Sequence, residues 1–155
     1  MSVETTQKAD AELTIQRVFD APRDLVFEMW TRKEHLDRWG CPEGMTIPVS
    51  EGDIRTGGWF RTCMRGSDGA EHWVSGAYRE VSPPERIVFT HAWDDEKGDR
   101  GHETVVTISF SETADGKTRM HFHQAFFASD ASRDGHAEGW TSCFRRLDAL
   151  LAQAA

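Results

Sequence analysis

Cysteine is scarce and unpaired in this chain: Cys41, Cys63 and Cys143 lie far apart, with no Cys-x-x-Cys pair. An odd, scattered set of three argues against a disulfide framework and fits a reducing cytoplasm with three small buried side chains. Positive charge is also short. Eighteen Lys and Arg stand against 26 Asp and Glu, a net charge of -8. No basic stripe is present to neutralise phosphates, so nucleic acid is not an expected partner. No apolar run approaches the roughly eighteen residues of a membrane span, and the N-terminus lacks the apolar core of a signal peptide. A soluble, cytoplasmic protein is expected. Nucleophile elbows, phosphate loops and zinc-protease helices are missing too. Gly57-Gly58 has neither the further glycine nor the lysine of a phosphate loop, and reads as a relaxed entry into a strand.

What remains is a pattern of strands closed by one helix. At 155 residues the chain is long enough for a single domain with a real core. Residues 1–11 are polar and expected to be flexible, leaving 12–155 as the domain. Leu13 to Phe19 alternates as a first strand. Asp20-Ala21-Pro22 offers a cap and an early-turn proline for a helix whose apolar side carries Leu25, Val26, Met29 and Trp30. Thr31 is placed to cap a second short helix with Leu36 and Trp39 facing inward. Strands follow at 59–64, 72–81, 86–93, 102–110 and 118–127, within a sheet of about six strands beyond the first. Trp140, Phe144, Leu147 and Leu151 then recur at helical spacing, widened by Cys143 and Leu150, in a helix opening near Gly139. A lone terminal helix must bury that stripe against the sheet. The expectation is an α+β fold, a curved antiparallel sheet gripping a long C-terminal helix.

Turn chemistry sharpens the register. If Ala114-Asp115-Gly116 is a three-residue loop with Gly116 left-handed, then Phe110 faces Met120, Ile108 faces Phe122, Val106 faces Gln124 and Thr104 faces Phe126. A two-residue turn would mix apolar and polar faces, which the hydrophobic pattern disfavours. Around Asp94–Gly101 the simplest pairing sets His91 opposite His102 and Phe89 opposite Thr104. The helix-facing side is then apolar except for His91, His102, Thr104 and Gln124.

Facing imidazoles at His91 and His102 suit a polar ligand, a proton transfer or two metal ligands. The alternative is that both hydrogen-bond water near the open end of the sheet, and no third metal ligand is specified. His121 and His123 share a strand face with Arg119, Thr107 and Ser109, which reads as the solvent side. Neither Cys63 nor Cys143 has an evident activating base. The aromatic rings Trp59, Trp73, Phe89, Trp93, Phe122 and Phe126 on strands, with Trp140 and Phe144 on the helix, either line an elongated pocket or fill it. The first outcome predicts a small, largely apolar ligand whose polar end is oriented by His91, His102, Thr104 or Gln124, with no metal or cofactor. The alternatives are a cyclase or hydrolase working through pocket histidines, and an interaction module with an exposed apolar patch.

Asp20-Ala21-Pro22-Arg23-Asp24-Leu25-Val26-Phe27-Glu28-Met29-Trp30-Thr31, followed by His35-Leu36-Asp37-Arg38-Trp39, resembles the opening signature of the START-like (SRPBCC, Bet v 1-like) superfamily. More narrowly it is similar to bacterial proteins related to the C-terminal domain of the heat-shock ATPase activator. The likeness continues through Gly52 to Phe60 and Gly76 to Thr90, and ends with Gly139-Trp140 and the closing helix, covering about residues 12–152. The resemblance implies a helix-grip fold. It also implies a range of activities, since superfamily members bind lipids, hormones or polyketides, some are cyclases or oxygenase domains, and the activator domain assists a chaperone. A chaperone partner and a monomer or homodimer are therefore further expectations.

Overall fold

The computed structural model describes residues 11–154. Of the segment expected to be flexible, 1–10 lies outside the described residues, and Ala11 already pairs with Phe127 in the first strand. Seven strands form one antiparallel sheet in the order β1-β7-β6-β5-β4-β3-β2. They are β1 (Ala11–Phe19), β2 (Thr46–Asp53), β3 (Trp59–Arg65), β4 (Glu71–Ser82), β5 (Arg86–Trp93), β6 (Thr104–Glu112) and β7 (Thr118–Phe127). Two short helices, α1 (Arg23–Thr31) and α2 (Lys33–Trp39), follow β1, and the long helix α3 (Asp130–Ala154) closes the chain. The fold is the helix grip. Phe144, Leu147 and Leu151 meet Phe19, Ile108, Met120 and Phe122 in one buried cluster.

β2 is the strand that no pattern announces. Its sequence, TIPVSEGD, holds a proline and a glycine and is mostly exposed, which only an edge strand tolerates. Central β5 is the reverse, buried from Ile87 to Ala92. Its neighbour approaches so closely that a Cβ on Gly76 would lie 1.8 Å from the Thr90 carbonyl oxygen. Only glycine fits there.

The β6–β7 hairpin has the expected register at Val106–Gln124, Ile108–Phe122 and Phe110–Met120, and Gly116 is left-handed at φ +81°. The last expected pair, Thr104 with Phe126, does not form. β7 carries an irregularity where it meets β1 between Ala11 and Leu13, and Phe126 takes φ +71°. That extra residue switches the pleat, so Phe127 points inward and Phe126 is 51 % exposed. The β5–β6 register is also displaced, by two residues. His91 pairs with Thr104 and Phe89 with Val106, because the chain from Asp94 to Glu103 forms a longer loop closed by an Asp94–Arg100 bridge.

Helix boundaries differ from the expectation in two ways. Pro22 itself is the N-cap of α1 and Arg32 that of α2, neither with a side-chain cap bond. Thr31 ends α1 instead, its hydroxyl donating to the Phe27 carbonyl at 3.1 Å. α3 starts at Asp130 rather than near Gly139. Its later turns are tied to the loop after α2. Arg145 pairs with Glu43 at 2.7 Å and Arg146 donates to the Cys41 carbonyl at 3.0 Å. Among the described residues no helix is long and apolar enough to cross a membrane. All three cysteines are buried and free.

Candidate functional site

The sheet and α3 part company toward the N-terminal end of the helix. Two adjoining chambers lie there, of about 500 Å³ and about 100 Å³. Gly40, Met64, His91 and Trp140 border both. The larger chamber is framed by Trp93 of β5, by Gly135, His136 and Gly139 of α3, and by Pro42 and Met45 of the loop after α2. The smaller is lined by Phe60, Val74, Tyr78 and Phe89 from the sheet and by Trp30 and Leu36 from the short helices. Period-two alternation places these strand residues on the inner face.

His91 is the polar centre. It is 5 % exposed, and its ring meets those of Trp93, His136 and Trp140 at 5.6, 5.7 and 5.9 Å between centroids. Burial, with smaller contributions from His136 and Arg100, pushes its pKa down to about 3. The imidazole is therefore neutral at physiological pH, and among the described residues its ring nitrogens have no hydrogen-bond partner. The Tyr78 hydroxyl is likewise unpartnered among the described residues and kept protonated by burial. Trp30 Nε1 is buried without a partner as well.

His136 is better supported. Its Nδ1 lies 2.7 Å from the Ser132 carbonyl oxygen, and Trp93 Nε1 donates to its Nε2 at 3.0 Å. Those contacts select the tautomer protonated on Nδ1.

Thr104 and Gln124, expected to meet a ligand, spend their polar atoms on each other. Trp140 Nε1 donates to Gln124 Oε1 at 2.8 Å, Gln124 Nε2 to Thr104 Oγ1 at 2.9 Å, and Thr104 Oγ1 to the His91 carbonyl at 3.0 Å. This satisfied buried chain braces the Trp140 ring and the His91 backbone beside the chambers. Phe122 and Phe144 also act from behind, packing on Trp140 at 4.8 and 5.8 Å.

Of the residues singled out from the sequence, Phe89, His91, Trp93 and Trp140 line the chambers. Trp59, Trp73, His102 and Phe126 do not. Trp59 is 49 % exposed, and Trp73 lies under the Arg61 guanidinium on the outer face. On β3 and β4 the inward rings are Phe60 and Tyr78 instead. His102 precedes β6 and its Nε2 contacts the Phe126 carbonyl oxygen at 2.5 Å. His121 and His123 occupy the outer face as expected, with His123 3.3 Å from Glu12. Sequence reasoning missed His136, Gly135 and Gly139 as site residues. The signal available was two glycines four residues apart beside a histidine, just ahead of the apolar stripe.

Among the described residues no group of three or more His, Cys, Asp or Glu side chains converges as a metal site would require. Burial drives the Cys143 thiol up to about 12 and raises that of Cys41, so neither supplies a thiolate nucleophile at neutral pH.

The family model described as activator of Hsp90 ATPase homolog 1-like protein matches residues 20–152. Among solved structures, the AHSA1 protein from Silicibacter pomeroyi is 28% identical, with 94% of this chain and 100% of that chain covered at a TM-score of 0.85. A Chromobacterium violaceum protein is 27% identical over 90% of this chain and 96% of its own, with a TM-score of 0.81. A Mycobacterium smegmatis protein is 26% identical over 90% of each chain, with a TM-score of 0.77. No curated protein matches the chain.

Proposed function

Starting from the fact that this chain belongs to the activator of Hsp90 ATPase homolog 1-like family, we propose that it binds a small, largely apolar molecule between the sheet and α3. The observation that carries this reading is the chamber of about 500 Å³ beside His91 and Trp140, a volume within the range of small-molecule sites. Aromatic, methionine and glycine surfaces supply apolar contact, and His91 supplies one hydrogen-bonding centre. Proton transfer is a poorer use of that centre, since an imidazole with a pKa near 3 is a weak base at neutral pH. Native mass spectrometry of gently purified protein, with extraction and identification of anything retained, tests the reading. A retained molecule, or a saturable titration with an apolar one, is expected. A protein that retains nothing and titrates with nothing defeats it.

The second reading is a chaperone-associated interaction module in the cytoplasm, and the family description speaks for it more directly than for a ligand. The surface favours it less: the large exposed apolar side chains Val18, Val49, Trp59 and Phe126 are dispersed over several strands. Its test is the ATP turnover of an Hsp90-class chaperone with and without this chain. Stimulation supports the module, and unchanged turnover without complex formation removes it.

A further inference from the structure

The two histidines of β7 take no part in the chambers. Alternation sends Phe122 and Gln124, both fully buried, to the helix side of the strand, and His121 and His123 to the opposite side. Two residues apart on one face, their side chains are rooted about 7 Å apart along the strand. Imidazole nitrogens that share a zinc ion lie about 2.0–2.1 Å from it, and two rings leaning toward each other across that spacing reach one ion between them. Across the neighbouring strands His121 faces Gln16 and Ser109, and His123 faces Thr14 and Thr107. These four bring hydroxyl and amide groups and no charge. Arg119 shares the face, but on the far side of His121 from His123.

A second observation points to His123 as a ligand. Its Nε2 lies 3.3 Å from Glu12 Oε2, which leaves Nδ1 as the coordinating atom. Metal-ligating histidines almost always donate their other ring N–H to a carboxylate, carbonyl or water, which fixes the ring and strengthens it as a ligand. Glu12 and His123 also border a hollow of about 330 Å³ with Thr107 and Phe126, which gives room for water on the ion. Inside the fold, the neighbouring His91 and His136 lack this capacity. Both nitrogens of His136 are engaged, one by the Ser132 carbonyl and the other by Trp93 Nε1.

We propose that His121 and His123 chelate a divalent transition-metal ion on the outer face of β7, with Glu12 orienting His123 and water completing the coordination. Two imidazoles make an open site, unlike the four-ligand cage of a structural zinc. Imidazole ligands select Zn²⁺, Ni²⁺ or Cu²⁺ over Mg²⁺ and Ca²⁺, which prefer oxygen. The site is separate from the chambers, and its test is independent of the small-molecule reading.

Ni²⁺ and Zn²⁺ are titrated calorimetrically into the full chain, with Mg²⁺ as the control. One saturable site is expected for each of the first two ions and none for Mg²⁺. In NMR spectra, paramagnetic Ni²⁺ should broaden the signals of His121, His123, Thr107 and Ser109 first. His121→Gln and His123→Gln should each abolish the saturable site, whereas His35→Gln, on α2, should leave it unchanged. Glu12→Gln should weaken binding about tenfold, the low end for a carboxylate behind a ligating imidazole, and Glu12→Asp should recover part of that loss. Saturating Ni²⁺ should raise the melting temperature of the wild type and of neither histidine variant. Absence of saturable Ni²⁺ or Zn²⁺ binding, broadening centred away from β7, or full affinity in either histidine variant overturns the chelate. Mg²⁺ binding as tightly as Ni²⁺ overturns the choice of ion, and full affinity in Glu12→Gln overturns the positioning role of Glu12.

Discussion

The two halves of α3 use one continuous backbone for opposite ends. From Trp140 to Leu151 the helix buries Cys143, Phe144, Leu147, Leu150 and Leu151 against the sheet and short helices. From Asp130 to Gly139 it buries no residue at all. Among the described residues, one side-chain hydrogen bond, from Trp93 to His136, joins that half to the sheet. The difference teaches where stability and capacity are separated in this fold. Apolar burial at the C-terminal half holds the helix in place, which frees the N-terminal half to stand off and roof a chamber.

The strongest way to break that comparison is Leu147→Ala. Leu147 is wholly buried, and deleting such a side chain costs about 2–5 kcal/mol through lost burial and a residual cavity. Urea unfolding should show that loss. A change under about 1 kcal/mol would mean this half is packed as loosely as the other.

A smaller effect should come from His91, at the junction of the halves. The folded protein keeps its imidazole neutral down to about pH 3, whereas an unfolded chain protonates it near pH 6.5. As pH falls through that interval only the unfolded state gains the proton. Stability should then decline with a slope approaching ~1.4 kcal/mol per pH unit from this group, and show no such slope above about pH 6.5. Comparing urea midpoints of wild type and His91→Phe at several pH values isolates the contribution. Parallel pH profiles would mean that the chamber hydrates a charged imidazole.

The smallest effect expected is a gain. Gly135→Ala adds a methyl group that touches nothing and removes backbone freedom from the unfolded chain, so stability should rise by about 0.5–1 kcal/mol. Calorimetry would register it as a higher melting temperature. The roofing half would be closer-packed than described if the melting temperature fell.

The same contrast marks what could be read from the sequence. The anchoring half announces itself, because Phe144, Leu147 and Leu151 repeat at helical spacing. The roofing half, DASRDGHAEG, has no apolar period, since a helix over a chamber has nothing to bury. Its two glycines lower helix propensity further. His136 was hidden for that reason. In the sheet, the β6–β7 register was legible because inward apolar residues and Gly116 agree. The β5–β6 register was not, since the Asp94–Glu103 loop has no turn signature that fixes its length. Trp59, Trp73 and Phe126 lie on the outer face, contrary to the expectation from their aromatic character. Aromatic character does not reveal pleat parity, and a single extra residue in β7 reverses it. His91 borders both chambers, while Thr104 and Gln124 spend their polar atoms in the buried chain behind it.

The ties from Arg145 and Arg146 to the loop after α2 make α3 a cantilever, clamped along its later turns and overhanging at Asp130. The overhang from Trp140 to Asp130 is about 15 Å at 1.5 Å rise per residue. A tilt of about 1° at the clamp then displaces the tip by roughly 0.3 Å over that length. Occupants of different thickness would be registered as different deflections of the Asp130 end, while the anchored turns and the sheet beneath them stay still.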